Sequence, residues 1–315
     1  MKLDYIDNVA IIGTGMIGAS MAVLFTGNGY RTTMLAINDS EAAAGIERYE
    51  AYYADLVAKG LVTEKQAAIC RKYLEVTQGY EGISSADFIL ECVVEKLEVK
   101  YSVYEQIEAH CKQFKALASS TSAISADDLC NGLKAKGKLA VAHPYNPPHL
   151  VPCIEIVRST DTSDEALKVI EEFFRSVGRE PVVMKKSAPG FIANRLQHAL
   201  YREAVYMVEQ GIASPEAIDK ALKTSFAPRY TSIGIFEHFD YAGLDMIISI
   251  EDYLFPTLCN ADKTQELVRG LYESGNLGFK TGKGVYDWSG KDADDFRKRS
   301  SEPYLKYFNC DLPKE

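Results

Sequence analysis

Two sets of residues in this sequence carry recognisable chemistry. Gly13-Thr14-Gly15-Met16-Ile17-Gly18 has the glycine spacing of a phosphate-binding turn. His143 opens the stretch His143-Pro144-Tyr145-Asn146-Pro147-Pro148, and Glu155 follows among Val151, Ile154, Ile156 and Val157. A carboxylate in apolar company needs a partner, because burying it alone is costly. A histidine backed by a carboxylate suits removal of a proton from an alcohol: the carboxylate fixes the tautomer and stabilises the imidazolium that forms. Spacing alone does not bring His143 and Glu155 together. A structural histidine and a solvated glutamate satisfy the same sequence.

Each glycine of the turn has a mechanical use. Gly13 makes the tight turn, Gly15 lets the backbone approach a pyrophosphate, and Gly18 lets helix and strand pack closely. The helix start at Met16 and Ile17 then offers free N–H groups and a partial positive charge to a diphosphate. A turn kept only for packing would read the same way, but this one lies between a strand and a helix, where dinucleotides bind. An acid for the ribose hydroxyls is expected about 20 residues on. Counting to the strand end lands on Ala36, with Asn38 and Asp39 just after it. No arginine between Ala36 and Glu41 is present to hold a 2′-phosphate, which favours NAD over NADP, with Asn38 or Asp39 as ribose contacts. Helix capping by Asp39 or Ser40 is the competing use.

These groups need a scaffold, and the periodicity supplies one. Short apolar runs at 8–12, 32–37, 88–94, 117–119, 139–142, 154–157 and 181–185 predict buried strands. Between them, 19–26, 40–59, 63–73, 99–112 and 163–177 read as helices, with a hinge at Gly60, Ser163 as an N-cap and Gly178 as a stop. Alternation of this kind predicts an α/β fold with a parallel, doubly wound sheet. The histidine then sits at the carboxyl end of a strand, where such sheets bind ligands. Ser187-Ala188-Pro189-Gly190 reads as a link, followed by helical stretches without strand alternation, among them 191–210 and one opened by Ser214-Pro215-Glu216. The expected domains are 1–187 and an all-helical 188–315.

A chain of 315 residues has room for two such cores. Its net charge of −9, without a run of Lys or Arg, argues against nucleic acid and anionic membrane surfaces as partners. No segment approaches the length of a membrane helix, and the first residues lack the apolar core of a signal peptide. Seven widely spaced cysteines without a C-x-x-C pair argue against a metal site or a disulfide framework. The expectation is a soluble cytoplasmic protein that holds no metal.

Six segments together resemble the 3-hydroxyacyl-CoA dehydrogenase family. They are the glycine turn, Glu91-Cys92-Val93-Val94-Glu95, Ser120-Thr121-Ser122, the His143 stretch with Glu155, Pro189-Gly190-Phe191-Ile192-Ala193-Asn194-Arg195, and Gly278-Phe279-Lys280-Thr281-Gly282-Lys283-Gly284-Val285-Tyr286. They occur in the family's order across residues 8–288. The resemblance implies a Rossmann-type NAD domain followed by a helical domain that mediates homodimerisation. It also implies roles. His143 would be the general base, paired with Glu155, while Ser122 and Asn194 would hold the substrate's reacting oxygen. Glu95 and Lys100 would line the cofactor side, and Asn146 would lie by the histidine, substrate and cofactor. For Ser122, Asn194 and Lys100, a turn residue, a helix-surface amide and a solvated lysine are the plainer readings.

The family includes enzymes of acyl-CoA thioesters and a branch, similar to lambda-crystallin, gulonate 3-dehydrogenase and carnitine 3-dehydrogenase, that acts on free hydroxy acids. Pro144-Tyr145-Asn146-Pro147-Pro148 replaces the aromatic pair usual after the histidine in acyl-CoA enzymes, and Pro228-Arg229-Tyr230-Thr231-Ser232-Ile233-Gly234 resembles the free-acid branch. Arg229 there would bind a substrate carboxylate bidentately, unless it serves a surface salt bridge. Gly234-Ile235 departs from the family's Gly-Pro. The expected reaction is hydride transfer between NAD and C3 of a 3-hydroxy compound, a free 3-hydroxy acid rather than a 3-hydroxyacyl-CoA such as 3-hydroxybutyryl-CoA. A catalytically weak, crystallin-like or cofactor-sensing protein on the same fold is the alternative, favoured only by the missing acid at Ala36.

Overall fold

The computed structural model describes residues 2–313. They form two compact units, one of residues 2–192 with 297–313 and one of residues 193–296.

The first unit is built on one eight-stranded sheet. Its strands are β1 (Asn8–Ile12), β2 (Arg31–Leu35), β3 (Leu74–Thr77), β4 (Phe88–Glu91), β5 (Ala116–Ser119), β6 (Leu139–Pro144), β7 (Cys153–Arg158) and β8 (Glu180–Met184). The order is β3-β2-β1-β4-β5-β6-β7-β8. Helices α1 (Met16–Gly27), α2 (Asp39–Ala58), α3 (Glu64–Arg71), α4 (Leu97–His110), α5 (Ala126–Cys130) and α6 (Asp164–Ser176) connect the strands. Alternate residues of each strand feed opposite faces. Val9 and Ile11 join α1, α2 and α6 around Met21, Phe25, Tyr49 and Phe173, while Ala10 and Ile12 join α4 and α5 around Tyr104, Ile107 and Leu129. This two-sided burial explains why the strands read as continuous apolar runs.

The doubly wound α/β expectation holds, with one correction to the direction of the strands. β7 runs antiparallel to β6, and β8 follows β7 in parallel. β3, absent from the sequence reading, forms the edge beside β2. Strands expected at 32–37 and 88–94 end at Leu35 and Glu91.

The second unit holds α7 (Ala193–Glu209), α8 (Pro215–Thr224), α9 (Ile235–Ala242), α10 (Leu244–Leu254) and α11 (Glu266–Glu273). Ser214 caps α8 ahead of Pro215, as the sequence indicates. Among the described residues its ladder contacts are bridges among Gly278, Lys283 and Asp287. The last helix, α12 (Ala293–Ser301), runs out of this unit. The helical region is therefore shorter at both ends than 188–315. Phe191 is buried in the first unit's second core, and Leu305, Phe308 and Leu312 pack on its first. No helix among the described residues is long and apolar enough to cross a membrane.

Candidate active site

The strand ends of the first unit bring the phosphate-type turn and the histidine to the same edge of the sheet, on either side of the point where strand order reverses between β1 and β4. Gly13 adopts φ +111°, and a Cβ there would lie 2.8 Å from the Cys92 carbonyl oxygen. A Cβ on Gly18 would lie 2.1 Å from the Gly13 oxygen, so both positions require glycine. Gly15 differs: a Cβ there meets no protein atom within 4 Å. That open space lies at the N-cap of α1, which no side chain caps. The donors of the first helical turn, at Met16, Ile17 and Gly18, are thus left for an anion, and the cradle fits a dinucleotide diphosphate.

A second glycine reinforces this turn. Gly45, inside α2, has Thr14 where its side chain would be, with 2.6 Å to the Thr14 Cβ. Arg48 Nη1 donates to the Thr14 carbonyl at 3.1 Å. A glycine inside an otherwise strong helix was the sequence signal for this contact. Asn38 is the N-cap of α2, its side chain accepting from the Glu41 amide at 2.9 Å. The cap therefore falls on Asn38, one residue before Asp39, and its amide oxygen is committed to the helix. Ala36 is buried and donates its N–H to Thr77.

Beyond β4 the chain makes a buried polar network. Glu91 is fully buried. Its Oε1 accepts from Lys100 Nζ at 2.7 Å and from the Val93 amide at 2.8 Å. Its Oε2 accepts from Ser119 Oγ at 2.6 Å and Tyr104 Oη at 3.0 Å. Lys100 is buried too and also reaches Glu95 Oε2 at 3.4 Å, which removes the solvated reading of this lysine. Glu95 Oε1 accepts from the Thr121 hydroxyl and from the amides of Ser122 and Ala123. Partial burial pushes the Glu95 pKa up, but the Thr121 hydroxyl and the Lys100 charge outweigh it and hold the carboxyl below its usual range. Ser122 is exposed on the loop that Glu95 fixes. Glu91, Tyr104 and Ser119 had no assigned role in the sequence; the pairing of Glu91 with Lys100 nine positions on, across a strand-to-helix turn, was the available hint.

His143 and Glu155 are direct partners in the β6–β7 ladder. His143 Nδ1 lies 2.9 Å from Glu155 Oε2. A carboxylate only accepts, so Nδ1 carries the hydrogen and Nε2 presents a lone pair. The pair is nearly dry, at 7% and 1% exposure. Glu155 Oε1 is also engaged, accepting from the Ile192 amide at 2.8 Å. The ring packs against Tyr145 and Phe191, with centroids 5.2 and 5.3 Å away. Phe191 takes φ +48°, a left-handed conformation strained for a bulky residue and held here by its buried ring. Asn146 is exposed in the loop that follows.

In the second unit, Asn194 is half-buried in the first turn of α7. Arg229 is exposed in a short 3-10 turn and contacts His238 Nε2 at 3.2 Å, with no carboxylate in ion-pair range among the described residues.

Residues 8–187 match the family described as 3-hydroxyacyl-CoA dehydrogenase, NAD binding domain, and residues 190–288 its C-terminal domain. The chain is 31% identical, over 89% of its length and 90% of the relative's, to 5-formyl-3-hydroxy-2-methylpyridine 4-carboxylate 5-dehydrogenase of Mesorhizobium japonicum. It is 34% identical, over 75% and 76%, to L-carnitine dehydrogenase of Oceanobacillus iheyensis. A solved structure of 5-formyl-3-hydroxy-2-methylpyridine 4-carboxylic acid 5-dehydrogenase, described as an NAD+-dependent dismutase, superposes with a TM-score of 0.84 at 28% identity, covering 96% of this chain and 97% of that one. With the glycine cradle and the histidine–glutamate pair at the edge of its sheet, the chain belongs to the 3-hydroxyacyl-CoA dehydrogenase family and takes NAD as its cofactor.

Proposed function

We propose that this NAD-dependent oxidoreductase interconverts a free 3-hydroxy acid and its 3-keto acid, with His143 as general base. The observation that carries the proposal is the nearly dry His143–Glu155 contact on the sheet edge that bears the glycine cradle. NAD, when bound, would supply the hydride acceptor for oxidation at the substrate's C3. His143 Nε2 takes the hydroxyl proton, and Glu155 stabilises the resulting imidazolium. Ser122 and Asn194 donate to the reacting oxygen and favour the charge that develops there. Gly13, Gly15, Met16, Ile17 and Gly18 would hold the diphosphate through the backbone. Asn38, through its amide nitrogen, Glu95 and Asn146 would serve the rest of the cofactor, with Lys100 positioning Glu95.

The preference for a free acid over a CoA thioester has two supports. Arg229 is exposed and its Nη1 contacts only His238, with no acidic partner among the described residues, so the guanidinium charge is not neutralised and suits a carboxylate. The two relatives above are named for L-carnitine and for a pyridine carboxylate, neither of them a thioester. Parallel assays with 3-hydroxybutyryl-CoA and small free 3-hydroxy acids test the reading. Oxidation of the thioester alone ends the role given to Arg229.

The partner of the second unit is another copy of the chain. Among helices α7–α11 only Val205 is buried, while Phe236, Tyr241 and Tyr253 are each more than 80% exposed. Apolar exposure on this scale marks an association surface. Sedimentation as a monomer at micromolar concentration would remove this part. Seven unpaired cysteines fit the reducing cytoplasm.

A further inference from the structure

Residues beyond 288 lie outside both family domains, yet residues 297–313 are built into the first unit. Tyr304, Leu305, Phe308, Cys310 and Leu312 pack against its first core. Two glycines make room for this tail. A Cβ on Gly178 would lie 2.3 Å from the Asn309 carbonyl oxygen, and one on Gly27 would lie 3.1 Å from Cys310 Sγ. The Asp311 amide donates to Asn28 Oδ1 at 3.0 Å.

Arg179 joins this tail to the loop that follows the catalytic strand. It is 2% exposed and has no carboxylate in ion-pair range among the described residues. Its Nη2 donates to the Tyr307 carbonyl at 3.2 Å, and its Nη1 to the carbonyls of Pro148 and Val151 at 3.2 and 3.1 Å. Burial pulls its pKa down to about 10. A guanidinium so placed is tolerated only because oriented carbonyls replace its water. The loop it grips follows Pro144 and carries Tyr145, whose ring meets His143. The same loop is tied to α1 by His149 Nδ1, 2.8 Å from Ser20 Oγ.

We propose that Arg179 is a positioning residue for His143, and that the C-terminal tail acts through it as an intrachain strap on the 145–152 loop. This rests on the dehydrogenase reading for its effect on turnover, but the strap itself is measurable without it.

Three full-length variants test it: Arg179→Met, Arg179→Lys, and Phe308→Asp, which puts a charge into the tail's apolar contact while leaving the Arg179 side chain itself unaltered. Turnover of 3-hydroxybutyrate or 3-hydroxybutyryl-CoA is read beside NADH fluorescence and hydrogen exchange at the Leu150 and Val151 amides, both bonded to the Pro147 carbonyl. Misplacement of the base predicts a kcat about 10- to 100-fold lower in Arg179→Met and Phe308→Asp, with NADH affinity within about twofold. Arg179→Lys recovers part of the loss, and exchange at Leu150 and Val151 rises while amides of β1 and β4 stay protected. Unchanged kcat in both variants, or uniform loss of protection including β1 and β4, overturns the proposal. If the parent oxidises neither probe, the dehydrogenase reading fails instead. The strap is then decided by exchange alone: faster exchange confined to the loop supports it, and unaltered protection removes it.

Discussion

His143 and Glu155 face each other across the antiparallel pairing of β6 with β7, so a backbone register delivers the imidazole to the carboxylate. Glu155→Gln tests that relationship. The glutamine amide presents N–H where the carboxylate accepted, and His143 answers by moving its hydrogen to Nε2. A base protonated at the reacting nitrogen cannot take the hydroxyl proton. kcat is expected to fall on the order of 10²- to 10⁴-fold, with NADH affinity little changed. Steady-state kinetics beside an NADH titration checks this, and a loss confined to KM would contradict it.

The glycines of the turn separate stability from binding. Gly15→Val places atoms in space that no protein atom occupies, so the thermal midpoint should hold while NADH affinity drops at least about tenfold. Gly18→Val drives a methyl group into the Gly13 carbonyl and should cost about 1–3 kcal/mol of stability. Equal behaviour of the two variants would mean that the open space at Gly15 is not the diphosphate site.

The Glu91–Lys100 pair is a buried ion pair with nearly complete hydrogen bonding. Lys100→Met leaves the Glu91 charge without its counter-ion and should destabilise the fold by about 3–5 kcal/mol. Adding Glu91→Gln should recover part of that loss. Urea unfolding of the single and double variants measures both. A single-variant loss under about 1 kcal/mol, the range of surface pairs, would show that the network does not hold the β4 edge.

Burial pushes the His149 pKa from 6.5 down to about 4, because the imidazolium would lose its water in the loop behind the active site. Between these values the unfolded chain binds the extra proton and the folded one does not. This contribution is therefore complete above pH 6.5 and is lost as pH falls toward 4. It amounts to up to about 3 kcal/mol. His149→Asn should flatten that part of the stability–pH curve. An unchanged slope between pH 4 and 6.5 would contradict the assignment.

Much of this site is legible in the sequence because its signals are local. The glycine turn, the apolar runs and the Ser163 and Ser214 caps need only their neighbours to be read. The reversal at β7 is legible as well: eight residues separate Pro144 from Cys153, too few for a parallel crossover. β3 is four residues at an edge and carries no alternation long enough to detect. Lys100 could not be placed from composition, because its helix reads equally well with that residue buried or solvated, and only the Glu91 carboxylate decides. The tail was illegible for the same reason. Leu305, Phe308 and Leu312 have no period that names their docking site, which is made by Gly27 and Gly178 far back in the chain.

The most direct measurement is single-turnover oxidation by His143→Ala beside an NADH titration of the same variant. Loss of the base predicts turnover lower by roughly 10²- to 10⁴-fold with NADH affinity retained. Turnover near that of the parent protein would mean that another group takes the proton.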